Sequence, residues 1–325
     1  MALDYDRIRN WRFPPAEQRY TARDTILYGL GIGLGGDPVD RRQLRFVYEE
    51  GLAAFPTMAT VLGSPGFWVR DPATGLDWRR SVHAEQALTI HGPLPPEGTV
   101  VGTTRVTGIV DKGAKGAMIL TERSLRNAAG GAEIATLFQS AFLRGDGGFG
   151  DRGDQAPAPH MPPAREPDAT CIIATSPQAA LIYRLSGDDN PLHADPAAAA
   201  HAGFPRPILH GLASFGIAAR AVLATYADYA PAALRSLQQR CAGIVYPGES
   251  LRFALWRDRD VVSFTAHVVE RDALALSHGR AEIATPPIAL SPEERDAIAR
   301  SRAAAARGDL ASEEQVRDLW AKHGL

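Results

Sequence analysis

Asp188, Asn190 and His193 fall within six residues of one another, in the run Gly187-Asp188-Asp189-Asn190-Pro191-Leu192-His193. A carboxylate and an imidazole at that spacing, with Pro191 closing a turn between them, put two proton-transfer groups on one loop. Such a pair held around one water can take a proton from it and return one, assistance typically worth about 10²- to 10⁴-fold. Asn190 supplies an amide to orient them. Downstream, Gly211 opens the apolar run Leu212–Leu223, which predicts a backbone N–H at a helix N-terminus, where a developing oxyanion is stabilised. The chemistry these parts fit is addition of water to an α,β-unsaturated thioester: one proton leaves the water, one joins the α-carbon, and charge builds on the thioester oxygen.

The elements that position the loop occur twice. Gly145 to Ala169 is dominated by glycine and proline and reads as an exposed linker. On either side, Thr21-Ala-Arg-Asp-Thr-Ile-Leu-Tyr resembles Thr175-Ser-Pro-Gln-Ala-Ala-Leu-Ile-Tyr, the run from Phe55 lies opposite that from Leu209, and the run from Pro93 opposite that from Ile244. The offset stays at about 150 to 155, which points to a duplication. Each half begins with a short apolar helix, continues through a Gly- or Pro-rich loop, and ends in alternating strands around 98–113, 116–130, 132–144, 250–257, 261–271 and 274–284. The turns at 110–117 and 127–131 predict hairpins. Helix and sheet segregate within each half, so the fold class is α+β. From Ser291 onward, Ser-Pro-Glu-Glu starts a short helical tail.

Other function classes find little support. A net charge of −2 in 325 residues argues against a nucleic-acid binder. No apolar run reaches the roughly 20 residues of a membrane span, the N-terminus lacks a signal-peptide core, and the last residues are no peroxisomal address. Two cysteines among apolar residues, Cys171 and Cys241, suit a reducing compartment, so a cytoplasmic protein is expected, and the Ala- and Arg-rich composition suits a bacterial origin. Asp188, His193, Asp195, His201 and His210 follow no common zinc spacing, and no metal is expected. Gly31 to Gly36 satisfies GxGxxG, but it follows a helical segment instead of a strand, against a dinucleotide site. Gly147 to Gly150 reads as linker.

The run Tyr183 to His193 resembles the signature of the (R)-specific type-2 enoyl-CoA hydratases, which are MaoC-like dehydratases and include the hydratase part of the peroxisomal multifunctional enzyme. The resemblance continues through Ala202-Gly203-Phe204, Pro207 to Leu212 and Tyr246-Pro247-Gly248, and in the first half through Ile26 to Gly31, His83 to Gln86, Asp111-Lys112-Gly113 and Gly147 to Gly150. It covers about 20 to 285. It implies a double hot dog, two long helices each wrapped by an antiparallel sheet. A degenerate half at 1–145 would shape the acyl pocket, 146–169 would link, 170–290 would form the catalytic half, and 291–325 the tail. In the first half Gly33 and Pro38 occupy the positions of Asp188 and His193.

The implied reaction is reversible hydration of trans-2-enoyl-CoA to (3R)-3-hydroxyacyl-CoA. Asp188 and His193 would share the acid–base work, Asn190 would orient them, and the Gly211 N–H would polarise the thioester. His83, Lys112, Arg206 and Pro207 are candidate substrate contacts. No cofactor is implied, since CoA belongs to the substrate; the partner is an acyl-CoA thioester, with no nucleic acid or membrane, and a homodimer is expected. Asp189 departs from a common tryptophan, Gly243-Ile244 from a common Lys-Pro pair, and Ala84 from the usual glycine. Two alternatives stay open: a dehydratase of a branched, dicarboxylic or steroid-side-chain CoA or carrier-protein thioester, and a non-catalytic protein that binds acyl thioesters.

Overall fold

Alternation of apolar and polar residues gives a chain mostly of strands, and a computed structural model describes residues 3–284, with Arg300 and Arg307 as isolated positions beyond. The expected tail at 291–325 lies outside the described residues apart from those two. The first half runs α1 (Tyr5–Arg9), β1 (Ala16–Tyr20), α2 (Ala22–Gly31), α3 (Arg41–Leu44), β2 (Ser81–Ile90), β3 (Gly98–Asp111), β4 (Ala117–Asn127) and β5 (Glu133–Leu143). The second runs β6 (Ala169–Ala174), α4 (Ala179–Tyr183), α5 (Pro196–His201), α6 (Gly211–Tyr226), β7 (Leu234–Cys241), β8 (Ser250–Asp258), β9 (Val261–Val268) and β10 (Ala273–Ile283).

All ten strands join one antiparallel sheet in the order β1-β3-β4-β5-β2-β7-β10-β9-β8-β6. Read outward from its centre, each half repeats the same strand order. That is the duplication expected from the sequence, and the α+β double hot dog it implies. The seam is the β2–β7 pair, where Glu85 faces Arg240 and Gln86 faces Gln239. Arg240 Nε donates to Glu85 Oε1 at 2.8 Å, and Ser140 Oγ donates to Glu85 Oε2. Both halves belong to one compact unit.

The expectation of two long helices needs correction. In the second half α6 is long and buried on nearly every face, from Ala213 to Ala219 and from Ala221 to Leu223, as expected of an all-apolar helix. Its counterpart in the first half is a five-residue 3₁₀ turn, Pro56–Thr60. Gly63, Pro65 and Gly66 follow within a few residues, too many breakers for an α-helix to propagate. Phe55 and Met58 of this turn nonetheless enter the same core as Phe215, Phe253 and Phe264.

Contact between the halves relies on missing side chains. A Cβ at Gly216 of α6 would sit 2.5 Å from Ile32 Cγ2 and 3.0 Å from the Tyr28 hydroxyl. Thr21 and Asp24 start α2, with Thr21 N and Oγ1 both donating to Asp24 Oδ2 at 2.8 Å, a capping-box arrangement. The expected hairpin turns are present: Lys112 N donates to Gly116 O at 2.9 Å, and Asn127 N to Ala132 O at 2.9 Å. Residues 144–168 carry no helix or strand, yet they are tied down. Asp154 Oδ2 accepts from Ile109 N and the Tyr5 hydroxyl, and Trp256 Nε1 donates to Arg165 O.

Candidate active site

The loop carrying the Asp/Asn/His run is shaped by its own polar side chains. Asp188 Oδ1 accepts from Asn190 N at 3.3 Å, and Asn190 Oδ1 accepts from Leu192 N at 3.1 Å. Pro191 opens the short turn Pro191–His193, which buries the imidazole. Asn190 therefore builds the turn that holds the pair, a local backbone-capping role its residue type favours. Ile208 N and Leu209 N, donating to Leu192 O and Val245 O, hold the following loop against it.

His193 Nδ1 lies 2.8 Å from Ile208 O. A carbonyl only accepts, so Nδ1 carries the proton and Nε2 keeps a lone pair. His210 Nε2 lies 3.2 Å from Asp188 O, which by the same logic makes it the donor and leaves Nδ1 a buried acceptor without a partner. The two imidazoles stack, with centroids 3.7 Å apart and planes 25° from parallel. One oxygen of Asp188 and one ring nitrogen each of His193 and His210 all lie within 4.8 Å of one another.

Burial keeps these rings neutral. It pushes His210 down to about 2 and His83 down to about 4. For His193 burial also wins, against the opposing pull of Asp188 and the Ile208 carbonyl. The same trio could be taken for a metal centre. Near-parallel rings with centroids 3.7 Å apart, however, cannot both aim in-plane lone pairs at one ion about 2.0–2.1 Å away, so the stacked pair is a poor fit for one shared ion. Of the other acids and imidazoles once grouped with them, Asp195 caps α5 through Ala197 N at 2.8 Å and His201 is exposed at its end.

Asp188, Asn190, His193, Gly211 and His83 line one cavity of about 730 Å³. Gly211 is the first residue of α6, where N–H groups lack intrahelical acceptors and the helix dipole is positive. A Cβ there would lie 3.3 Å from Cys241 Sγ and 3.6 Å from His83 Cδ2, close enough that Cys241 would have to give slightly. His83 sits on β2 beside a bulge between His83 and Glu85. Its Nε2 has no partner and it feels the charge of Asp188, which places it beside the loop.

Three other expectations shift. Lys112 lies in the β3–β4 turn beside a separate cleft with Asp111, Gly113 and Asp154, because the hairpin points it away from the cavity. Arg206 lies over the Tyr246 ring at 4.7 Å, near Glu249, and Pro207 adjoins it outside the cavity wall. Their loop is turned outward while Ile208 reaches in. The Gly147–Gly150 run directs Gly148 N and Gly150 N to Asp111, which satisfies those donors internally.

His210, Cys241 and Arg123 were missed as parts of the site. The signal for His210 was its place directly before Gly211. The wall toward the first half, with Val61, Phe67, Trp68, Val82 and Leu137, had no sequence signal beyond its resemblance-implied role.

The chain matches two family models, an MFE-2 hydratase 2 N-terminal domain over residues 18–145 and a MaoC like domain over 156–278. It is 38% identical to the enoyl-CoA hydratase ChsH3 of Mycobacterium tuberculosis, over 85% of this chain and 98% of that one. The peroxisomal enoyl-CoA hydratase 2 of Arabidopsis thaliana is 34% identical over 84% and 93% of the two chains. Among solved structures, a MaoC-like dehydratase from Phytophthora capsici superposes with a TM-score of 0.76 at 33% identity, covering 87% of this chain and 99% of that one. With the site built on the second half and the first half matched as its own hydratase domain, the chain belongs to the MaoC-like dehydratases and is a hydro-lyase.

Proposed function

We propose that the protein hydrates trans-2-enoyl-CoA reversibly to (3R)-3-hydroxyacyl-CoA. What carries the reading is the meeting of Asp188 and the lone-pair nitrogen of a neutral His193 beside the first N–H groups of α6, inside one cavity. Water held by the two acceptors attacks C3. One member of the pair takes a proton from it as the C–O bond forms and the C2=C3 π bond breaks. A proton then passes from the pair to C2, so both groups end as they began. The Gly211 N–H and the α6 dipole stabilise the enolate-like oxygen that develops on the thioester, an effect usually worth about 10²- to 10³-fold. His210 acts as a positioning residue: its Nε2–H fixes the Asp188 carbonyl and its ring supports that of His193. Hydration changes no oxidation state overall and needs no redox cofactor.

The test follows loss of enoyl absorbance for wild type, Asp188→Asn and His193→Ala. Each variant is expected to lose at least about 10²-fold in kcat, in line with general acid–base assistance. Activity within tenfold of wild type in either sinks the assignment, and chiral analysis of the product checks the 3R configuration. The family resemblance supports a homodimer, which sedimentation equilibrium tests. Two free cysteines support a reducing cytoplasm as its compartment.

A further inference from the structure

The cavity runs from the catalytic loop onto the first half's sheet, and there its wall turns polar. Register pairs Thr104 of β3 with Arg123 of β4 and Leu137 of β5, and one row over pairs Thr121 with Gln139 and Gln86. Directly opposed residues share a face, and all six line the cavity. Arg123 is the unusual member. Its Nη2 donates to Thr60 O, while Nε is buried without a partner. Arg123 is half-buried, and it lines the cavity. Burial lowers its pKa to about 10 with no acidic neighbour acting against it. A guanidinium partly withdrawn from water without a counter-ion carries a desolvation cost. Bonding one carbonyl needs only a neutral donor, which leaves the charge and the remaining donors unexplained.

We infer that Arg123 receives a carboxylate at the far end of the acyl group, with Thr104, Thr121 and Gln139 as further hydrogen-bond partners. Arg presents a planar fork of donors that suits a carboxylate. The span sets a minimum length. His83 aligns through Ala141 with Ile119, four residues along β4 from Arg123. Strand rise and spacing then put the His83 and Arg123 Cα atoms roughly 17 Å apart. The side chains take up part of that span, and the acyl chain fills the rest. The preferred substrate class is therefore a 2-enoyl thioester with a terminal carboxylate, its length set by that span.

This inference rests on the hydratase reading. The experiment pairs trans-2-enoyl-CoA esters of equal length, one methyl-terminated and one carboxyl-terminated, across several lengths. Wild type is expected to favour the carboxyl-terminated ester by at least tenfold in kcat/KM at its best length. In Arg123→Met that ratio falls about 10- to 100-fold, and Arg123→Lys restores part of it. No preference in wild type, or a ratio unchanged in Arg123→Met, overturns the inference. Should Arg123→Met fail to fold, competition in wild type decides: the saturated carboxyl-terminated thioester must inhibit at least tenfold more tightly than the methyl-terminated one. Turnover of no enoyl ester defeats the hydratase reading itself. Turnover of methyl-terminated esters alone defeats only the role of Arg123.

Discussion

Neutral buried histidines should make this protein lose stability in mildly acidic solution, before its lowered carboxylates begin to titrate. His83 and His210 have an ordinary value of 6.5, pushed down by burial to about 4 and about 2. A depressed value means that the unfolded chain binds the proton first as pH falls. Stability is therefore complete above 6.5 and declines with falling pH toward the folded values. One pKa unit corresponds to about 1.4 kcal/mol, so at pH 5.5 each ring costs about 1.4 kcal/mol and the two together about 3. His193 and His160, also lowered by burial, push the same way. The lowered carboxylates, Asp111, Asp168, Glu249 and Glu270, act only below about pH 4–5, so the window from 7.5 to 5.5 reports mainly on the imidazoles, with Asp146, raised by burial, acting in the opposite sense. Urea unfolding at the two pH values gives the difference. His83→Gln and His210→Gln, neutral at every pH, should each flatten it by about 1.4 kcal/mol. A wild-type change below about 1 kcal/mol, or variants with the wild-type slope, would refute the reasoning.

Catalysis should respond to the same burial. His193 needs its lone pair, and its lowered pKa moves the acid limb of kcat/KM below pH 6.5; a limb at or above 7 counts against it as a proton acceptor. Gly216→Ala drives a methyl to 2.5 Å from Ile32 Cγ2. Overpacking of about 1–3 kcal/mol outweighs the better helix propensity of alanine, about 1 kcal/mol. Calorimetry should therefore show a lower Tm, and an unchanged or raised Tm argues against this close approach.

How much of this was legible in sequence follows from the physics of each element. Strands β3, β4, β5, β8, β9 and β10 announce themselves because their alternation separates a buried face from a wet one. Strand β7 does not: Gln238 and Gln239 break the pattern, since Gln239 faces Gln86 across the seam between halves, where polar residues are enclosed by protein. Edge strands β1 and β6, of five and six residues, are too short for a period to register. The Asp/Asn/His loop was readable because two of its three side chains make local bonds: Asn190 and Asp188 cap backbone within two residues of themselves. His210 and Arg123 act through partners 22 and 63 residues away, and spacing along a chain carries no trace of such pairs.

That division has a consequence for the two halves. In the second half the loop, the α6 N-terminus and the stacked histidines are mutually constrained, so a change in any one disturbs the proton-transfer geometry. In the first half Gly33 and Pro38 stand at the corresponding positions, and the long helix has shrunk to a single turn at Pro56–Thr60. The shortened turn still fills the core through Phe55 and Met58. Its last carbonyl, that of Thr60, is the one Arg123 holds. The short turn that stands in place of a long helix and the cationic side chain lining the cavity are thus joined by one hydrogen bond.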